Sequence, residues 1–282
     1  MDRITVTKLN HVFLYIQTDP GIEKELSDHF CFYVPGYKFM PAYRNRMWDG
    51  KIRLYDLRSK QLYTGLFKYL KEFAAARDYE VLVESNREYG RPDTTETIDV
   101  PALLDELHLT VGSDKIKARE YQQEALHHAL SNRQSLLLSP TASGKSLIIY
   151  MAIRYYLSTY DEGNILLIVP TTSLVEQMYS DFDDYSEFDS WNAQKECHRI
   201  YAGKEKYNFK ERVTITTWQS VYKERSEWFQ RYGMVIGDEA HNFKAKSLTA
   251  ILEKCTEAQY RIGTTGTLDG TQTHQLVLEG LF

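Results

Sequence analysis

Cysteine is scarce in this 282-residue chain: Cys31, Cys197 and Cys255 are an odd number without paired spacing. That excludes a disulfide framework or a cysteine-based zinc site and predicts a reducing, cytoplasmic setting. Long hydrophobic runs are missing too. Stretches such as 165–169 fall far below the ~20 residues that span a bilayer, so no membrane partner is expected. No secretory signal is visible, because Met1-Asp2-Arg3 leads into mixed polar and β-branched residues. A positive surplus is also lacking: 34 Lys+Arg against 39 Asp+Glu leave a net charge of −5. No global field therefore attracts nucleic acid, and any such binding needs a local patch. With 15 glycines, 7 prolines, 43% hydrophobic and 26% charged residues, collagen-like rods, coiled coils and wholesale disorder are excluded. What remains is a soluble globular chain long enough for one large domain or two modest ones.

The pattern changes along the chain. Residues 84–101 (ESNREYGRPDTTETIDVP) are polar, hold a glycine and two prolines, and show no helical stripe. They read as a linker between a domain over 1–83 and a second over 102–282. Beyond the linker, 120–131 has helical spacing. Short apolar runs follow at 135–138, 165–169, 199–201, 213–216, 234–237 and 260–263, most of them separated by helix-length segments. Short apolar strands alternating with helices mean an α/β fold with a parallel sheet covered on both faces. Ligands in such sheets sit at the carboxyl ends of the strands.

Two chemical clusters fall at such ends. Ser139-Pro140-Thr141-Ala142-Ser143-Gly144-Lys145-Ser146 lies between an apolar strand and an apolar helix. Backbone N–H groups in that position cradle phosphate, the Lys145 ammonium reaches the β/γ phosphates, and the Ser146 hydroxyl ligates Mg²⁺. Gly-Lys-Ser alone would merely cap a helix; the strand before and the helix after make it a nucleotide site. Ser139 stands where the usual pattern has a glycine. Downstream, Asp238-Glu239-Ala240-His241 follows the run 234–237. A phosphate-loop nucleotidase needs one carboxylate for the metal shell and one to orient the attacking water. Asp238 suits the first role and Glu239, with Lys145 the catalytic pair, the second.

Asp-Glu-Ala-His after a phosphate loop resembles the DEAH-type superfamily 2 helicases and translocases. Further clusters fall in that family's order. Arg119-Glu120-Tyr121-Gln122 resembles its adenine-recognition element, which implies that Arg119 and Gln122 bind nucleotide. Pro170-Thr171, Tyr201-Ala202-Gly203 and Thr216-Thr217-Trp218-Gln219-Ser220 resemble its strand-contacting motifs, which implies nucleic-acid contacts at Pro170, Thr171, Gly203, Thr217 and Gln219. Gly263-Thr264-Thr265-Gly266-Thr267 sits at the motif coupling hydrolysis to movement, which implies that role for His241, Thr265 and Thr267. Its usual alanine and proline are Gly266 and Leu268 here. The motif resemblance covers 115–282. The whole chain resembles phage recombination, repair and replication members of the family. This implies a RecA-like domain with ATP and Mg²⁺ as cofactors, acting on branched DNA or RNA–DNA hybrids. It also implies a second motor domain supplying an arginine finger, without which these residues would hydrolyse ATP poorly.

The N-terminal part reads as a small α+β domain, with strands near 12–16 and 79–83 and helices near 21–30 and 62–76. Residues 36–77 hold ten basic and three acidic side chains with nine aromatics interleaved. Asp49-Gly50 predicts a two-residue type I′ hairpin. Alternation would then put Arg44, Arg46, Trp48, Lys51, Arg53 and Tyr55 on one face, with Arg46 opposite Arg53. Cations for phosphates and aromatics for bases make that a candidate nucleic-acid face. A solvated basic face is the plain alternative. Five acidic residues in 181–189 read as the solvated side of an amphipathic helix. For the whole chain, a phosphate-loop switch or scaffold that does not translocate is the competing function, and the motor subunit of a nuclease ranks below it.

Overall fold

A computed structural model describes residues 2–112, 114–140, 143–201, 203–208, 210–244, 246–266 and 272–282. Thr141, Ala142 and Thr267 of the expected site lie outside the described residues. These residues divide into two compact units. One holds 2–94 and the helix over 272–281; the other holds 95–266 and Phe282.

The first unit begins with β1 (Arg3–Lys8) and β2 (Phe13–Gln17), where Ile4, Val6, Leu14 and Ile16 alternate inward and are fully buried. Then come α1 (Pro20–His29), β3 (Cys31–Tyr33), α2 (Pro41–Arg44), β4 (Lys51–Arg53), β5 (Tyr55–Asp56), β6 (Gln61–Tyr63), α3 (Phe67–Ala75) and β7 (Glu80–Glu84). The main sheet has the order β5-β6-β2-β1-β7, with β1 and β7 parallel. The expected helix over 62–76 is shorter at its start. Leu62 is a fully buried strand residue paired with Leu14.

The expected Asp49-Gly50 hairpin does not form. Residues 41–44 are helical, and β4 pairs antiparallel with β3 instead, in the register Cys31↔Arg53 and Tyr33↔Lys51. Gly50 is still required, for another reason. Its φ is +82°, and a Cβ there would sit 2.2 Å from the Tyr37 ring. Asp-Gly thus marks a real turn, but one entered from a helix rather than a strand. Gly50→Ala should lower the stability of this unit by roughly 1–3 kcal/mol, read as an earlier urea midpoint, because strain and overpacking add.

The second unit contains α4 (Val100–Glu106), β8 (Thr110–Val111), β9 (Asp114–Lys115), α5 (Glu120–Asn132), β10 (Gln134–Leu138), α6 (Lys145–Thr159), β11 (Asn164–Val169), α7 (Thr172–Tyr185), α8 (Ala193–Glu196), β12 (Cys197–Ile200), β13 (Val213–Thr217), α9 (Trp218–Val221), α10 (Ser226–Phe229), β14 (Tyr232–Asp238), α11 (Lys246–Lys254) and β15 (Tyr260–Thr265). The final helix, α12 (Gln272–Leu281), groups with the first unit. All six apolar runs of the sequence are strands of one sheet, ordered β10-β15-β14-β11-β13-β12, and each neighbouring pair is parallel. In β11 every residue from Ile165 to Val169 is buried, as a sheet covered on both faces requires. The parallel arrangement puts the ends of β10, β11, β13, β14 and β15 on one rim, where the chemical clusters collect.

Candidate nucleotide and nucleic-acid sites

The phosphate loop is fixed from both sides. Its first residue, Ser139, donates its N–H to Thr265 O at 2.8 Å, next to the end of β15. Ser139 and Ser143 join their hydroxyls across the loop, so the serine in the glycine position closes the turn with a hydrogen bond. Gly144 takes φ +77°, and a Cβ there would meet Gln122 Nε2 at 2.4 Å. α6 then starts at Lys145.

The upstream element grips this loop. Arg119 N–H donates to Gln122 Oε1 at 2.8 Å, a capping box at the start of α5. Gln122 is buried, and its Nε2 donates to Ser143 O at 2.9 Å. Tyr121 Oη donates to the same carbonyl at 2.8 Å. Both ends of the Gln122 amide are thus engaged by protein. Tyr121 was missed from sequence, although it sits between the two residues that were named.

The acidic pair lies at the end of β14. Asp238 is 4% exposed and accepts from Thr264 Oγ1 at 2.8 Å. Burial pushes its carboxyl above the usual range, against the pull of the Thr264 hydrogen bond and of Lys145. Glu239 leaves the strand at φ +51°, a left-handed conformation a non-glycine residue adopts only at a cost. This turns its carboxylate to Lys145, with which it forms an ion pair. Glu239 Oε2 also lies 3.3 Å from His241 Nδ1, which is 3.0 Å from Thr265 Oγ1. Lys145, Glu239, His241 and Thr265 therefore form one connected chain from the phosphate loop to the end of β15.

Ser146 behaves differently from expectation. Its Oγ is 2.8 Å from Tyr185 Oη on α7. Burial raises the Asp181 carboxyl, and a hydrogen bond from Ser146 opposes that rise. The acidic stretch 181–189 is thus not simply a solvated face: Asp189 pairs with Arg154 in a largely buried ion pair.

No group of three or more His, Cys, Asp or Glu among the described residues could hold a metal by itself. Mg²⁺ seldom needs such a cage, since it keeps waters and takes one or two protein oxygens plus phosphates. The buried Asp238 carboxylate, held at raised pKa, is a donor that a cation would relieve, so the donor set fits.

A second site opens at the ends of β11 and β13, which pair up to Val169↔Thr217. There a groove of about 540 Å³ is lined by Pro170, Thr171, Gly203, Thr217 and Gln219, the residues named from sequence. Thr171 caps α7, accepting from Leu174 N at 3.3 Å. Thr217 Oγ1 lies 3.0 Å from Ser220 Oγ. The groove also takes in Thr172, Tyr201, Lys204, Lys206 and Ser220. The two lysines were missed, although both follow a strand end within four residues of Gly203.

In the first unit only part of the expected face assembles. Arg44, Arg46 and Trp48 line a shallow concavity of about 580 Å³ with Tyr43, Met47 and Asp49. Arg46 has φ +56°, and Trp48 Nε1 donates to Lys51 O at 2.9 Å. Lys51 instead lies over the Tyr33 ring, 5.0 Å from its centroid. Arg53 is ion-paired with Asp49, so the expected Arg46–Arg53 opposition does not exist. Tyr55 is fully buried and is no base-stacking residue. The correction follows from the missing hairpin: once 41–44 is helical, the alternation used to assign faces no longer holds. Met47, which the same alternation assigns to the core side, is 76% exposed, and Phe39, 84% exposed, has no place in that reading.

Comparisons with known proteins agree with this layout. Residues 115–270 match the family described as type III restriction enzyme, res subunit, and residues 3–84 match the N-terminal family of DNA helicase UvsW. The ATP-dependent DNA helicase uvsW of Enterobacteria phage T4 is 34% identical over 96% of this chain and 54% of its own length. The DNA 3'-5' translocase XPB2 of Sulfurisphaera tokodaii is 24% identical over 83% of this chain and 43% of its length. The chain therefore spans about half the length of the curated relatives it matches. A crystal structure of the UvsW helicase from bacteriophage T4 superimposes with a TM-score of 0.88 at 34% identity, covering 100% of this chain and 98% of the other. With the RecA-like sheet, the phosphate loop beside the Asp-Glu-Ala-His turn and matches across both units, the chain belongs to the superfamily 2 helicases.

Proposed function

We propose that this chain provides the ATP-binding and DNA-engaging part of an ATP-dependent DNA helicase. The observation that carries the reading is the Lys145–Glu239 ion pair, which draws the phosphate loop and the acidic turn to one point on the rim of the sheet. Lys145 and the loop residues Pro140, Ser143 and Gly144 would bind the triphosphate, with Thr141 and Ala142 completing the loop in sequence. Ser146 and Asp238 would hold Mg²⁺, which when bound neutralises phosphate charge as it develops. Glu239 orients or deprotonates the attacking water. Nucleotide must first displace the Lys145–Glu239 pair, freeing the lysine for phosphate and the glutamate for water. Arg119 and Gln122 stand ready for the adenine edge, which requires the Gln122 amide to exchange the Ser143 carbonyl for the base.

Coupling runs through His241 and Thr265 and continues in sequence to Thr267. The groove from Pro170 to Gln219 tracks the backbone of one strand, with threonine hydroxyls and Lys204 facing phosphate. A second motor domain in the full-length protein would close the ATP cleft and add the arginine finger. Branched recombination or fork DNA is the proposed substrate, with RNA–DNA hybrid as a further one. The groove disfavours a nucleotide switch or scaffold, which has no use for a strand-sized channel beside its ATP site.

The test is ATP turnover by the full-length protein with single-stranded, duplex, branched and RNA–DNA hybrid cofactors. Stimulation by DNA that Lys145→Ala abolishes supports the motor; turnover indifferent to nucleic acid refutes it. For the first unit, Arg44→Ala with Arg46→Ala should reduce the salt slope of DNA binding by about 2, near one per lost phosphate contact. An unchanged slope removes that unit from the DNA interface.

A further inference from the structure

Between β3 and β4 the chain makes an excursion over 34–50, closed at its base by the Val34 N–H donating to Gly50 O at 2.9 Å. It has a small aromatic core of its own. The Tyr33 and Tyr37 rings stack at 4.6 Å, and Tyr43 meets Tyr37 edge-on at 4.7 Å. The half-buried Trp48 is held by its Nε1–H on Lys51 O. Two consecutive residues break local rules here. Arg46 and Met47 donate their N–H groups to Tyr43 O and Ala42 O, which makes the end of α2 a Schellman turn. Glycine is usual at the left-handed position of that turn, where Arg46 stands at φ +56°. The residue after it usually packs back on the helix, whereas Met47 is left in solvent. Such departures collect where a protein binds something.

Charge indicates what covers Met47. Asp49 is the only acid in 34–50, and Arg53 takes it. Arg44 and Arg46 have no ion-pair partner among the described residues, and both line one concavity with Met47 and Trp48. An apolar tip between free cations fits a polyanion that offers flat apolar faces, which is DNA with a base out of its stack. An intact duplex hides those faces; a branch or a single-strand boundary opens one. We propose that Met47 is a wedge resting on the first unstacked base at a discontinuity in DNA, with Trp48 as the adjoining wall and Arg44 and Arg46 on the flanking phosphates. This rests on the reading of the first unit as DNA-binding. It names what that unit recognises: the break in stacking, not the base sequence.

The experiment is equilibrium binding of the full-length protein, without nucleotide, to a three-way junction carrying 2-aminopurine at the branch and to a duplex of equal length. Met47→Ala should lower the preference for junction over duplex roughly fivefold or more and change the 2-aminopurine signal of the complex. Arg46→Gly should move two readouts in opposite directions. The urea midpoint rises, because glycine suits the left-handed position, while the salt slope of DNA binding falls by about 1. An arginine with a purely structural role would not give that pair. Thermal melting checks that each variant folds. An unchanged junction preference in Met47→Ala overturns the wedge. So does a change of oligomeric state in sedimentation with DNA binding intact, which assigns the patch to a protein contact. If Arg44→Ala with Arg46→Ala leaves the salt slope unchanged, the DNA-binding reading of the first unit falls, and the wedge with it. A reduced slope beside an unchanged junction preference removes the wedge alone.

Discussion

Glu239→Gln should leave a protein that binds ATP at least as well as the parent but turns it over on the order of 10²–10⁴-fold more slowly, the usual contribution of a positioned acid or base. The two halves of that expectation have separate causes. Glutamine cannot take a proton from water, so the chemical step loses its base and slows. It also cannot hold Lys145 as an ion pair, which removes a competitor for phosphate. The structure shows why the second half matters: the Lys145 side chain is only 16% exposed and its Nζ is committed to Glu239. Part of any phosphate-binding energy must go into breaking that contact. Steady-state DNA-stimulated ATPase measures the first effect, and nucleotide titration the second. A parallel loss of affinity and turnover would show that Glu239 supports the loop rather than the chemistry. The left-handed backbone at Glu239 sharpens the test. Gln keeps the local conformation, whereas Pro or a β-branched residue would disturb the turn and confuse the two effects.

How much of this was legible in the sequence depended on whether the signal was local. The six parallel strands were readable because each is a short apolar run, and a sheet covered on both faces tolerates little else. The phosphate loop, the Asp238–Glu239 turn and the groove residues were readable because each motif is contiguous and ends a strand. Their meeting followed from the parallel sheet, which brings all strand ends to one rim. The first unit was less readable. Asp49-Gly50 is a strong turn signal, but a turn does not say what enters it. The helix over 41–44 and the pairing of β4 with β3, some twenty residues away, are tertiary choices. Tyr55 shows the consequence: assigned to a binding surface by alternation, it is fully buried. Asp189 failed for a related reason. Local charge density predicts solvent, but its partner Arg154 lies 35 positions upstream and leaves no trace in the local pattern.

Asp189 carries the largest expected effect on stability. Its side chain is 8% exposed and paired with Arg154, 13% exposed, whose Nη1 also donates to Tyr150 Oη at 2.6 Å. The guanidinium lies over the Trp191 ring at 5.3 Å, so one arginine joins α6 to the segment after α7. Removing a single partner of such a buried pair typically costs 3–5 kcal/mol, because the other charge stays uncompensated. Asp189→Ala should therefore unfold the second unit at clearly lower urea than the parent. Replacing both, Asp189→Ala with Arg154→Leu, should recover much of the loss, since apolar packing substitutes for a buried ion pair at little net cost. A double variant as unstable as the sum of the singles would mean that the two residues act independently. The pH dependence has a definite sign. Burial raises the Asp189 carboxyl, but the Arg154 hydrogen bond and charge outweigh it, and the net shift is downward from 3.8. A carboxylate depressed in the folded state contributes stability that is complete above its unfolded pKa and lost as pH falls through the folded one. The parent should thus lose this contribution only below about pH 4, whereas Asp189→Asn should lack it at every pH and show a flatter acid limb. Urea midpoints measured from pH 7 down to pH 3 separate the two. Acid limbs of equal slope would place the stabilising charge elsewhere.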